Sequence, residues 1–161
     1  MLSLLESFMF QIGQLFLLPV LFAVCLLFLY AFWLLGGFAV QAWRRRSGGG
    51  RPLLDYARVN PGTSEDVLDL HAHTMLEAPR IVSRVAPMLG LVATMIPIGP
   101  ALLGLSDGNL QQVSHSLTIA FAAVILALIA ASLAYWVVSV RRRWLSEELL
   151  AARGVQAEAA R

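Results

Sequence analysis

Three long runs without a charged side chain dominate this sequence: Ser7 to Trp43, Val85 to Ser106 and Gly108 to Val140. A helix needs ~20 apolar residues to cross the hydrocarbon core of a bilayer, so each run can cross once. Backbone amides in lipid must find their partners within the protein, which makes helices the natural structure for such runs. With 58% hydrophobic residues and a mean hydropathy of +0.72, the 161-residue chain is too apolar for an ordinary soluble domain. About 40 residues separate the first two runs, and a short tail follows the third. Pieces this small rarely build a core of their own, so they are expected to be helical extensions of a bundle. The reading is an all-α integral membrane protein with three transmembrane helices. Segment 1–43 holds an interfacial lead-in and the first span, and 44–84 a short cytoplasmic segment with a helix. Segment 85–161 holds a hairpin of spans at about 85–105 and 117–140, then a cytoplasmic tail.

Charge sets the orientation. The formal net charge is only +2, yet all 12 basic residues are arginines, and all lie in 44–84 or 141–161. Placing both segments in the cytoplasm satisfies the positive-inside rule and puts the N-terminus outside. Trp43 and Trp144, each beside an arginine run, fit an aromatic belt at the inner interface. The runs Arg44-Arg45-Arg46 and Arg141-Arg142-Arg143 are explained by topology and lipid headgroups, without nucleic acid. Cys25 is the sole cysteine and says nothing about redox compartment.

Met1 to Gln14 reads as an amphipathic lead-in at the outer interface, and Leu15 to Val40 as the first span. No basic region precedes the apolar run, which is too long for a cleaved signal peptide. Pro19 is expected near the helix start, where a missing donor matters little. Gly36-Gly37 predicts either a bend or a close approach of another helix. Ser47-Gly48-Gly49-Gly50 is a flexible break, and Asn60-Pro61-Gly62 a turn. Thr63-Ser64-Glu65-Asp66 has the pattern of a capped helix start. That helix is expected over Ser64 to Ala78, with Pro79 breaking or kinking it. Within the second span, Pro97 and Pro100 free the carbonyls of Ala93 and Ile96, which protein, hydroxyl or water must answer. Thr94 is the hydroxyl set midway along that span. In the third span Ala120, Ala123, Ala127, Ala131 and Ala134 form a small-residue stripe for close helix packing. Gly154 and the Gln156–Arg161 tail are expected to fray.

His71 and His73 lie two apart, roughly 200° around a helix, and cannot chelate one ion together. His115 stands at the entrance of the third span, as an interfacial residue or a proton relay. No nucleophile–base pair, metal-ligand cluster or cofactor motif stands out, so the expectation is a non-enzyme without cofactor or metal.

Residues Ala86-Pro87-Met88-Leu89-Gly90-Leu91-Val92-Ala93-Thr94 resemble the entry into the second pore helix of the MotA/TolQ/ExbB proton-channel family. Ser116 to Tyr135 resembles that family's alanine-rich third helix, and the three-span, N-out order is similar to TolQ and ExbB. The resemblance covers about residues 84–148. It implies a homo-oligomer, typically a pentamer, in the cell inner membrane around an ExbD/TolR-like single-span partner that supplies a proton-carrying aspartate. Pro87 and Gly90 belong to the matching motif. The implied pathway residues are Thr94, Ala123, Val124 and Ala127. The spans lack Asp, Glu, Lys, Arg and His at depth, which suits a carrier supplied by another chain: a central charge costs ~2.5–3.5 kcal/mol on insertion scales. Ala93 stands where the family has glycine, Val124 where it has a third-helix threonine, and Pro97, Pro100 and the short cytoplasmic segment are unlike TolQ. A non-conducting helical scaffold is the competing reading. A small-molecule carrier lacks an inverted repeat or midplane charge, and an intramembrane enzyme lacks a base near Thr94.

Overall fold

The structure, a computed structural model, describes residues 2–60, 63 and 65–159. Four helices follow in order: α1 (Leu2–Arg46), α2 (Pro52–Val59), α3 (Glu65–Ser106) and α4 (Leu110–Ala159). No strand occurs among the described residues. At 45, 42 and 50 residues, the three long helices would each measure roughly 60–75 Å at 1.5 Å per residue. That is about twice a ~30 Å hydrocarbon core, so each carries a span and an extension. All three are long and apolar enough to cross a membrane.

The helices are more continuous than the prolines suggest. Pro19 lies well inside α1, several turns from its first residue, so the expected helix-start position is corrected. The lead-in and first span are one helix. Pro79 does not end the helix before it: α3 runs unbroken past Pro79, Pro87, Pro97 and Pro100. Each proline deletes one bond, whereas a break would strand a whole turn of donors and acceptors, which within the second span lipid could not answer. α4 continues past Gly154 to Ala159. Ser64 of the expected cap, Pro61-Gly62 of the expected turn and the last residues of the tail lie outside the described residues. Around them, Thr63 donates through its Oγ1 (2.8 Å) and its backbone N–H (3.3 Å) to the Asn60 carbonyl.

The chain divides into two compact units. Unit 1 comprises Met1–Phe32 and Val82–Ser132. Val20 of α1, Ala93 of α3 and Ala123 of α4 are buried together there, with Leu21 and Leu89 packed against them. Much of its surface is apolar: Leu15, Leu18, Phe22, Met88, Leu91 and Phe121 are all well exposed. Contiguous apolar surface on this scale needs lipid or further protein against it. The tight turn from α3 to α4 places Gly108 at φ +70°, a conformation glycine adopts without strain.

Unit 2 comprises Trp33–Ile81 and Leu133–Arg161. The small extensions do build a core, against expectation: Leu53, Leu54, Leu68, Ala72, Leu145 and Ala152 cluster from α2, α3 and α4. The missing ingredient was α2 itself, an eight-residue helix with proline in its first turn and two adjacent buried leucines. Gly48 and Gly50, both at positive φ, let the chain turn into it. Phe38 of α1 sits between Trp136 (centroids 5.1 Å, edge-on) and Trp144 (5.1 Å, stacked). Trp144 is therefore a packing residue as well as a belt candidate, while Trp43 is 74% exposed. Gly36 and Gly37 are exposed, and nothing among the described residues lies within 4 Å of where their side chains would begin.

Candidate functional site

The motif residues converge in unit 1 where α3 crosses α4. A side chain added at Gly90 would place its Cβ 2.8 Å from the Ala127 Cβ and 3.5 Å from a Val124 methyl. Ala93, one turn on, is fully buried against Val20 and Ala123. Glycine at 90 and alanines at 93, 123 and 127 thus let three helices meet closely, as small residues do in membranes. Ala123 and Ala127 are consequently buried inside the subunit, at 3% and 0% exposure. Val124 is half-buried on the same crossing. Pro87, also half-buried, lies one turn before Gly90.

The crossing yields a first prediction. Gly90→Ala gains up to ~1 kcal/mol of helix propensity but overpacks the crossing, which costs typically ~1–3 kcal/mol. The thermal midpoint of the purified chain in detergent is expected to fall, and Ala127→Gly on the same chain to recover most of it. An unchanged midpoint in the single variant would show that the crossing is not close.

Thr94 follows Ala93 and is only partly buried. Its hydroxyl donates to the Leu91 carbonyl at 2.7 Å. A hydroxyl has one donor and two acceptor positions, so Thr94 retains acceptor capacity towards whatever lies beside α3. One of the two carbonyls freed by the prolines after it is answered by α1. Gln14 Nε2 donates to the Ile96 carbonyl at 3.4 Å, the carbonyl Pro100 leaves without its helical donor. The Phe10 ring covers Gly99, where an added Cβ would lie 3.2 Å from it. Pro97 is buried and Pro100 half-buried. Gln14 is a site residue that sequence reasoning missed. An amide in a largely apolar helix was the available signal, but helix-to-helix register is not written in one sequence.

A second polar cluster lies in unit 2. Glu148 is 2% exposed, and its Oε2 accepts from the backbone N–H of Leu53 at 3.0 Å. That N–H is in the first turn of α2, whose own N-cap residue Arg51 offers no side-chain bond. A carboxylate on α4 therefore caps α2 from outside it, where the helix dipole favours negative charge. Glu148 Oε1 lies 3.1 Å from Arg45 Nη2 without hydrogen-bond alignment. Arg45 also donates to the Trp144 carbonyl at 3.4 Å and stacks over its ring at 4.7 Å. Burial pushes the Glu148 carboxyl above its ordinary value; the Leu53 N–H, the Arg45 charge, the Leu54 N–H and the Arg51 charge pull the other way without cancelling it. The pattern Leu145, Glu148, Leu149, Ala152 is a helical apolar stripe with one acid in it. That misplaced acid was the legible signal. His71 and His73 have separate neighbours: His71 stacks on Tyr56 at 4.6 Å, and His73 Nδ1 lies 2.9 Å from the Asp69 carbonyl.

Three bilayer-length apolar helices with a charge-free seam of small residues define a multi-pass helical membrane protein. Residues 65–153, more than half of the chain, match the MotA/TolQ/ExbB proton channel family, and the chain belongs to that family. The match opens at the first residue of α3, well before the nine-residue motif, so the extension preceding the second span belongs to the family pattern too. No match was found among curated proteins or solved structures.

Proposed function

We propose that copies of this chain assemble, as a pentamer, into a sleeve in the cell inner membrane. The N-termini are outside, and the sleeve conducts protons together with an ExbD/TolR-like single-span partner to power transport or another envelope process. The observation that carries the reading is Thr94, a partly exposed hydroxyl beside a buried three-helix seam in a family of proton channels. Its proton is committed to the Leu91 carbonyl, so towards a partner it acts as an acceptor. It suits the protonated form of a partner's aspartate, directly or through water. Ala123 and Ala127 act by fixing how closely α4 backs α3, and Val124 completes the wall. Each proton moving down the potential releases ~2.3 kcal/mol per 100 mV, and the partner turns or rearranges in response.

The test is proton flux into vesicles holding the chain with its partner. Voltage-driven flux that needs both chains and the partner's aspartate is expected. A stable oligomer with no flux would favour a non-conducting scaffold, the reading that Val124 in place of the third-helix hydroxyl supports.

A further inference from the structure

Unit 2 contains a cavity of about 520 Å³ where α1 and α4 leave their apolar runs. We propose that it holds the phosphodiester headgroup of an anionic phospholipid, in the leaflet at the arginine-bearing ends of the spans. Arg44 and Arg141 line it, and each is the first charged residue after a charge-free run. That sequence position is the headgroup level for a spanning helix, where basic pockets between helices take lipid phosphates. Arg44 is exposed and makes no ion pair among the described residues.

The charge count favours a single anion. Two guanidiniums and two carboxylates, Asp55 and Glu148, face the cavity, but Glu148 is already matched by Arg45. Arg44, exposed and in no ion pair among the described residues, is the positive charge that one phosphodiester neutralises. A zwitterionic headgroup would bring back a cation. The lining also explains why the occupant is a lipid rather than free phosphate. Gly37 and Val40 form one wall, and both belong to the apolar run of α1. Beside them Gly36 is bare and uncovered, leaving a side-chain-free track on which an acyl chain can lie. Trp144, stacked on Phe38 and covered by Arg45, forms a further part of the lining.

The full chain purified in detergent tests this by native mass spectrometry with added phosphatidylglycerol, phosphatidylethanolamine or inorganic phosphate. Phosphatidylglycerol is expected to stay bound in preference to phosphatidylethanolamine. Arg44→Gln should lower its retention by about fivefold, the effect of one arginine near a lipid phosphate. Arg58→Gln, which removes the same charge from an α2 residue outside the cavity, should not. Gly37→Leu, placed in open space that the fold tolerates, should lower lipid retention with both arginines intact. Equal losses in Arg44→Gln and Arg58→Gln would reduce the effect to diffuse charge and overturn the site. So would unchanged retention in Arg44→Gln, or equal retention of the two lipids. Displacement of lipid by inorganic phosphate at equal concentration would overturn the choice of occupant.

Discussion

Thr94→Val is expected to lower partner-dependent proton flux by roughly thirtyfold, which corresponds to about 2 kcal/mol for a hydrogen bond removed from a site shielded from water. Valine keeps the shape and removes the only hydroxyl in the charge-free run of α3 before Ser106. The wild-type hydroxyl's visible bond is to Leu91 within its own helix. Its loss therefore strands no distant partner in the fold, and the melting temperature should stay within a degree or two of wild type. Thr94→Ser restores an acceptor at the same place and is expected to recover most of the flux. Flux measured in vesicles, with and without the partner's aspartate, separates the possibilities. Wild-type flux in Thr94→Val would remove this residue from the pathway; lost flux with a lost fold would make it a packing residue.

Glu148→Ala is expected to loosen unit 2 by about 3 kcal/mol. Removing one partner of a buried ion pair typically costs ~3–5 kcal/mol, and Arg45 keeps the Trp144 carbonyl and ring as partial compensation. The variant also leaves the buried Leu53 N–H without its acceptor. Amide exchange across residues 52–59 reads this directly, because α2 is the element Glu148 caps. Glu148→Gln keeps an acceptor for Leu53 and should expose those amides less than alanine does. The pH dependence has a definite sign. The folded carboxyl is raised above its ordinary value of 4.5, chiefly by burial. The native unit therefore holds this proton more tightly than the unfolded chain. That contribution is complete below the ordinary value and is lost as pH rises through the raised one. Protection of α2 should accordingly be greater in mild acid than at neutral pH, and the difference should vanish in Glu148→Gln. A slope unchanged in that variant would assign the titration to another group.

How much of this was legible in the sequence depends on whether a feature is local. The three spans follow from runs of uncharged residues, and the alanine stripe of α4 follows from its spacing. Ala120, Ala123, Ala127, Ala131 and Ala134 are all buried. Proline was over-read, because its local effect is to delete one bond, and α3 continues past that loss at Pro79, outside the charge-free run. The Gln14–Ile96 bond shows the difference well. That Pro100 would free the Ile96 carbonyl was readable; that a side chain 82 residues earlier would answer it was not. The same holds in unit 2. The acid inside the stripe Leu145 to Ala152 was visible, but its meaning needed α2, a helix too short to announce itself by periodicity. Thr94 is the reverse case: its chemistry was readable from the start, and the structure adds which of its hydrogen-bonding positions is already used.

In the proposed assembly Thr94 faces an axial helix contributed by another polypeptide. Electron cryomicroscopy of the assembly, purified in lipid with the proposed single-span partner, reads this placement directly. A closed ring of copies is expected, with one Thr94 from each turned towards helical density on the axis. A lone subunit, or a ring whose Thr94 side chains point outward into lipid, would contradict it.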